Sequence, residues 1–219
     1  IVGKLMFIGS MVTDSVTAFD TETGAEKWRF YTSGPVRFAP MADKGKLYVT
    51  SDDGHLYCLN AADGKLNWKF RGGPGDRTVL GNGRLTSMWP ARSSAMVFEG
   101  KVYFGAGIWP FMGTFLHCLD AETGKALWTK SGVEWQKLPH SGAASFSSIA
   151  PQGYIAIEGD NLYVPCGRAV PAVFERETGK LVRFPQASSK KGGGCYVTIF
   201  GDYYWVPGFI ATKKDKKGK

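Results

Sequence analysis

One short pattern recurs along the chain and restricts the fold more than anything else in it. It reads Ala18-Phe19-Asp20-Thr21-Glu22-Thr23-Gly24-Ala25-Glu26-Lys27-Trp28, then runs from Asn60 through Gly64 to Trp68 and from Asp120 through Gly124 to Trp128. A fourth copy, from Phe174 through Gly179, ends on Arg183 where the others carry tryptophan. The glycines Gly24, Gly64, Gly124 and Gly179 are 40, 60 and 55 residues apart. Each copy sets two short β runs on either side of a tight turn. Asp or Asn opens the turn with an acceptor for local backbone N–H groups, and glycine takes the position with positive φ. The tryptophan falls in the outgoing strand, where a large flat ring packs between neighbouring sheets.

Another β run stands ahead of each turn, starting at Lys4, Lys46, Lys101 and Asn161, with a fifth at Asp202. The later of these are preceded by one more expected strand, at 36–41, 92–98, 153–157 and 195–200. That makes four strands per unit, A to D in chain order. A repeat of about 40 residues or more built from four antiparallel strands predicts β-propeller blades, so the fold class is all-β. The glycine content (29 of 219 residues) and the 14% aromatic content suit many strands joined by tight turns. On this reading residues 1–208 hold strands B-C-D of one blade up to about 33 and full blades at about 34–72, 90–130 and 150–184. Strands A-B of a further blade follow at 194–208, and 209–219 is a basic disordered tail. Propellers close with about four to eight blades. An incomplete ring is therefore expected, with the remaining blades elsewhere in a longer protein. The chain opens on Ile1-Val2-Gly3 with no initiator Met and no signal peptide.

In an up-and-down blade the A–B and C–D turns share one face, and the B–C and D–A connections share the other. The first set is uniformly short. The second carries all the length: 71–91, 106–113, 130–150, 166–172 and 185–194. Long connections in a compact fold tend to be functional. These are rich in arginine and aromatic residues and poor in acids. The candidate binding residues are Arg77, Arg84, Trp89, Arg92, Trp109, Phe111, Trp135, His140, Gln152 and Arg168. Guanidinium forks grip carboxylates and rings stack on planar groups, so the expected partner is a small anionic or planar ligand, or a protein.

Other chemistries find little support. The net charge is +8, but residues 213–219 hold five Lys and one Asp, so half of it lies in the tail and nucleic acid is not indicated. No apolar run reaches the ~18 residues of a membrane span. Cys58, Cys118, Cys166 and Cys195 form no CxxC pair, and no histidine stands at zinc-ligand spacing. They read as core residues, and no metal site is expected. His55 and His117 occupy matching strand positions in two blades and read as structural, which leaves His140 as the loop histidine. Gly192-Gly193-Gly194 lacks Walker spacing.

The Asp/Asn-to-Gly-to-Trp units at 20–28, 60–68 and 120–128 resemble the tryptophan-docking repeats of pyrroloquinoline-quinone (PQQ) propellers. That superfamily includes quinoprotein alcohol dehydrogenases and an outer-membrane assembly lipoprotein. The loops at 88–92, 106–113, 150–154 and 164–174 also look like those of large planctomycete-type bacterial proteins with PQQ-like repeats. The resemblance implies export to the periplasm or beyond the cell. Quinoprotein dehydrogenases carry a vicinal Cys-Cys ring and a Ca²⁺ held by Glu, Asn and Asp. Here no two cysteines are adjacent, and the long loops offer only Asp76, Asn82 and Glu134. The reading is therefore a non-catalytic ligand- or protein-binding module that uses the long-loop face. The alternative is a quinoprotein oxidoreductase domain acting on alcohols or sugars with PQQ and Ca²⁺. Recognition of an acidic polysaccharide is a third option.

Overall fold

The computed structural model describes residues 1–81, 83–109, 112–131, 135–140, 143–167, 169–184, 193–201, 203–206 and 209–212; for 135–140, 143–148, 169 and 209–212 it describes the backbone. Every named element is a β-strand. The first sheet is β1 (Leu5–Ser10), β2 (Ser15–Asp20) and β3 (Glu26–Tyr31). The second is β4 (Met41–Asp43), β5 (Lys46–Thr50), β6 (His55–Asn60) and β7 (Leu66–Arg71), followed by a hairpin of β8 (Thr78–Gly81) and β9 (Arg84–Ser87). The third is β10 (Met96–Phe98), β11 (Lys101–Ala106), β12 (Phe115–Asp120) and β13 (Ala126–Ser131), followed by the hairpin β14 (Trp135–His140) and β15 (Ala143–Ser148). The fourth is β16 (Ala156–Glu158), β17 (Asn161–Cys166), β18 (Ala169–Glu175) and β19 (Leu181–Arg183). The fifth is β20 (Thr198–Phe200), β21 (Tyr203–Val206) and β22 (Phe209–Thr212). Each sheet is an antiparallel meander in chain order, and β10 adjoins both β4 and β16 while β16 adjoins β20. The sheets therefore follow one another with their A strands innermost, as blades do.

Four expectations are corrected. The A strands are shorter and start later than 36, 92, 153 and 195, because the residues before them leave the sheet to link blades. Ser94 N–H donates to Gly153 O at 2.8 Å, and Tyr154 N–H to Cys195 O at 2.7 Å. The stretches 71–91 and 130–150 each contain a hairpin. In the first, Gly81 pairs with Arg84, and Gly83 takes a positive φ of +76° beside that pair, as tight hairpins favour. The stretch 166–172 is no long loop: Cys166 pairs with Ala169, and Val170 and Ala172 are buried in β18. Residues 209–212 are not tail, because they pair with β21 and give the fifth sheet a third strand. Residues 213–219 lie outside the described residues.

Burial follows strand position. Strands β5, β6, β11 and β12 lie inside their sheets and bury both faces, whereas β3, β7 and β13 share one exposed, exposed, half-buried alternation with Trp28, Trp68 and Trp128 in third place. The core is a series of layers between sheets. One joins Val16, Trp28 and Phe30 to Leu47, Val49 and Tyr57; the next joins Tyr48, Leu56 and Trp68 to Val102, Phe104 and Leu119. A third joins Tyr103, Leu116 and Trp128 to Leu162, Val164 and Phe174, and a fourth joins Tyr163 and Val173 to Tyr204 and Val206.

Each indole closes its layer on the next blade's turn. In the repeated turns Asp20 Oδ1 accepts from Thr23 N–H at 3.0 Å, and Asp120 Oδ1 does the same with Thr123 at 2.7 Å. The Thr23 amide, with Lys27, holds the Asp20 carboxyl down at about 2. The turn glycines sit at φ of +71°, +72°, +71° and +65°. A β-carbon on Gly64 would lie 2.5 Å from the Trp28 ring, one on Gly124 2.6 Å from Trp68, and one on Gly179 2.8 Å from Trp128. Trp28 Nε1–H also donates to Ala61 O at 3.1 Å, and Trp128 Nε1–H to Arg176 O at 3.1 Å. In the middle layer Tyr48 O–H takes the equivalent carbonyl, Ala121 O, at 3.0 Å, and Trp68 Nε1 is left without a partner. Between the fourth and fifth sheets Arg183 replaces the indole. Its guanidinium donates to Tyr204 Oη at 2.7 Å and lies 5.7 Å from that ring's centroid. A cation over an aromatic face does there what an indole over glycine does elsewhere.

His117 ties the third sheet to the chain leaving the second. It is buried, its Nε2–H donates to Gly72 O at 2.9 Å, and its Nδ1 lies 2.9 Å from Thr129 Oγ1. Because a carbonyl only accepts, Nε2 carries a proton. Burial pushes its pKa down to about 4.

Two tests follow from these contacts. Gly24 and Gly64 share one backbone conformation, but nothing stands within 4 Å of a β-carbon on Gly24. Gly24→Ala should cost about 1 kcal/mol for the left-handed backbone, and Gly64→Ala about 1–3 kcal/mol more for displacing Trp28, read from urea unfolding. Equal costs would show that the indole contact contributes nothing. For His117 the folded pKa lies below the unfolded value near 6.5, so its contribution is complete above that pH and fades as pH falls towards 4. The loss is on the order of 3 kcal/mol. Unfolding midpoints at pH 7.5 and 4.5 should draw closer together in His117→Gln; an unchanged gap would refute the assignment.

Candidate functional site

The B–C turns and D–A linkers emerge on one face, and a cavity of about 550 Å³ opens there. Five parts of the chain build it: the β1–β2 turn with Met11, the linker with Pro35 and Arg37, and the β8–β9 hairpin. The segment carrying Met88, Pro90 and Arg92 and the β11–β12 loop with Ile108, Trp109 and Met112 complete it.

Asp52 holds these parts together. It sits in the β5–β6 turn with no exposed surface. Its N–H donates to Pro35 O at 2.9 Å, and its carbonyl accepts from Ser87 N–H at 3.1 Å, so its backbone joins the linker to the hairpin. Its carboxylate lies between two arginines: Arg37 Nε donates to Oδ2 at 2.6 Å, and Arg92 Nε is 2.9 Å from Oδ1. The second contact is an ion pair whose angle is too poor for a hydrogen bond. Burial pushes the Asp52 carboxyl up while Arg92 and Arg37 pull it back down, and burial lowers Arg92 against the pull of Asp52. Asp53, next in the chain, spends its oxygens on Ser33 N–H, His55 and Tyr57 O–H. Arg84, from the hairpin, reaches back to the first sheet and pairs with Asp14 Oδ1 at 2.6 Å.

Of the residues singled out from sequence, Arg84, Arg92 and Trp109 meet at this cavity. Trp89 lies beneath it and is buried: its Nε1–H donates to Met112 O at 2.6 Å and its ring covers Gly73, which pins two loops together. Arg77 stands exposed at the foot of the hairpin, outside the lining. Gln152 belongs to the linker between the third and fourth sheets, where its N–H donates to Pro165 O. Phe111 and Arg168 lie outside the described residues, as do the side chains of Trp135 and His140 on β14. Sequence reading missed Arg37 and Asp52. Arg37 carried a signal: Pro35-x-Arg37-x-x-x-Met41 recurs as Pro90-x-Arg92-x-x-x-Met96. Asp52 carried none, because Ser51-Asp52-Asp53-Gly54 reads as an ordinary turn.

A family model described as outer membrane protein assembly factor BamB, PQQ_2, matches residues 2–131. The chain belongs to the PQQ_2 family. This PQQ_2 chain is 28% identical over 193 residues to the outer membrane protein assembly factor BamB of Nitrosomonas eutropha, a match covering 87% of the chain and 41% of that protein. It is 32% identical over 143 residues to the quinohemoprotein alcohol dehydrogenase of Comamonas testosteroni, covering 58% and 18%. The crystal structure of BamB from Moraxella catarrhalis superposes with a TM-score of 0.62 at 19% identity, over 92% of this chain and 51% of that one. The chain thus spans about two fifths of the Nitrosomonas eutropha protein and under a fifth of the Comamonas testosteroni enzyme. Its fold is that of PQQ-like β-propellers.

Among the described residues a quinone cofactor with its cation finds no matching residue set, and Asn82 and Glu134 lie outside them. All four cysteines are free, and no two are adjacent in sequence. Burial raises the thiols of Cys118, to about 11, and Cys166, to about 12. Among the described residues no group of three or more His, Cys, Asp and Glu could hold a metal ion. Asp52, the acid at the cavity floor, is already taken by two arginines. No helix of the described structure is long and apolar enough to cross a membrane.

The central place of Asp52 is testable. Asp52→Asn leaves two guanidinium groups against a neutral amide and should cost about 2–3 kcal/mol, discounted for the partial exposure of both arginines. Unfolding by guanidinium chloride measures it, and a cost below 0.5 kcal/mol would show that the arginines do not depend on it.

Proposed function

We propose that this stretch is a non-catalytic binding module of an exported bacterial protein, and that it takes a small ligand or a protein segment through the long-loop face. One observation carries the reading: the cavity combines three arginines with an apolar wall, and the packing of three sheets fixes its shape. Its volume lies within the range of roughly 300–1,000 Å³ usual for ligand sites. Exposed apolar side chains surround the mouth, with Met11 at 53%, Leu80 at 78% and Trp109 at 57% exposure. A mixture of apolar rim and half-buried arginine suits recognition. The name of one relative, an outer membrane protein assembly factor, supports a protein-binding role, whereas the other, a quinohemoprotein alcohol dehydrogenase, represents the alternative. The likeness to an outer membrane protein assembly factor supports periplasmic or extracellular placement.

The test is a fragment screen by NMR on the 219-residue chain. Amide shifts should gather on Arg37, Arg84–Met88, Ile108, Trp109 and Met112. Shifts gathered instead on the opposite face, at the turns of Gly24, Gly64 and Gly124, would overturn the proposal.

A further inference from the structure

The charges at the cavity floor do not balance. Arg37 and Arg92 bring two positive charges and share one carboxylate, Asp52. Arg84 is already matched by Asp14, and Asp53 faces Ser33, His55 and Tyr57. One negative charge is missing.

The arrangement of donors shows where it belongs. Both guanidinium groups meet Asp52 through Nε, their side edge. Their end nitrogens, the pair that forms a two-pronged grip on an oxyanion, remain for something else. Arg37 Nη1 has only the thioether Sδ of Met11, at 3.3 Å, and sulfur of this kind is a weak acceptor. No hydrogen bond from the Arg92 end nitrogens to a described residue accompanies its Nε contact with Asp52. The two arginines are half-buried, so an oxyanion placed there escapes much of the screening that weakens surface pairs.

The rest of the cavity describes what the oxyanion is attached to. Val79, Leu80, Ile108, Trp109 and Met112 form a continuous apolar wall, and the 550 Å³ volume is far larger than an inorganic anion needs. Resting on the loop-face reading above, we infer that the site binds a monocarboxylate with an apolar body. Its carboxylate alternates with Asp52 around the two arginines, and its body lies against Trp109 and the hairpin. A second carboxylate on the ligand would find no unmatched cation, because Arg84 is held by Asp14.

Matched probes test this on the 219-residue chain. 2-Naphthoate should bind at least about tenfold tighter than 2-naphthalenemethanol and tighter than naphthalene-2,6-dicarboxylate, by NMR titration, with shifts at Arg37 and Arg92. Arg92→Gln should remove most of the advantage of naphthoate and leave the alcohol unchanged. If Arg92→Gln does not fold, Arg37→Lys keeps the charge but not the fork and should weaken naphthoate severalfold. N-acetylphenylalanine stands for a polypeptide's terminal carboxylate, and its strength relative to naphthoate separates that source from a free acid. Equal binding of acid and alcohol in this cavity would overturn the inference while leaving the loop-face reading intact. Probes that bind only elsewhere would overturn both.

Discussion

Everything in this molecule is built on an indole laid across a glycine of the neighbouring sheet. The ring needs a flat, bare patch of backbone, and only a residue without a β-carbon provides one at a turn that already requires positive φ. That double demand explains why the Asp/Asn-to-Gly-to-Trp pattern holds while residues around it drift. It also sets the distance between sheets, because the ring is both spacer and seal for the apolar layer behind it. The hydrogen bond that accompanies the ring is secondary. Where Tyr48 takes the carbonyl from Trp68, the packing of the layer is unchanged.

With spacing fixed on one face, the other face is free to vary. The turns near Gly24, Gly64 and Gly124 are nearly identical, whereas the B–C turns and D–A linkers carry a hairpin, a tryptophan-pinned loop and the arginines. Asp52 is where the two regimes meet. It belongs to the regular strand pair β5–β6, yet its backbone and side chain together touch the linker, the hairpin end and both arginines. The cavity floor is thus supplied by a blade's own strand pair.

How much of this was legible in the sequence depends on whether a feature is local. Turn glycines, the tryptophan positions and the order of strands are local and periodic, so they could be read directly, including Arg183 as a break in the series. The hairpin β8–β9 was just as local, through Asn82-Gly83 between alternating residues, but it was hidden by treating the whole stretch as loop. The candidate site was only partly readable. Arg84, Arg92 and Trp109 stood out by residue type, while Trp89 looked the same by type and turned out to be packing. What separates them is which residue lies opposite in three dimensions, Met112 O for Trp89 and Asp52 for Arg92. Asp52 is joined to Arg37 and Arg92 across 15 and 40 residues, and nothing in its own neighbourhood marks it.

The hairpin's reach has a mechanical meaning. It leaves the chain after the second sheet, is clasped to the first by Arg84 and Asp14, and runs on to Trp89, which grips the third through Met112. Three successive sheets are thus laced together by one surface strap running across their ends. Twisting or fanning of the blades would strain that strap before it disturbed the layers beneath, so the walls of the cavity register the angle between sheets. An occupant wedged there would stiffen the arc against shear, in the way a keystone resists the spread of its neighbours.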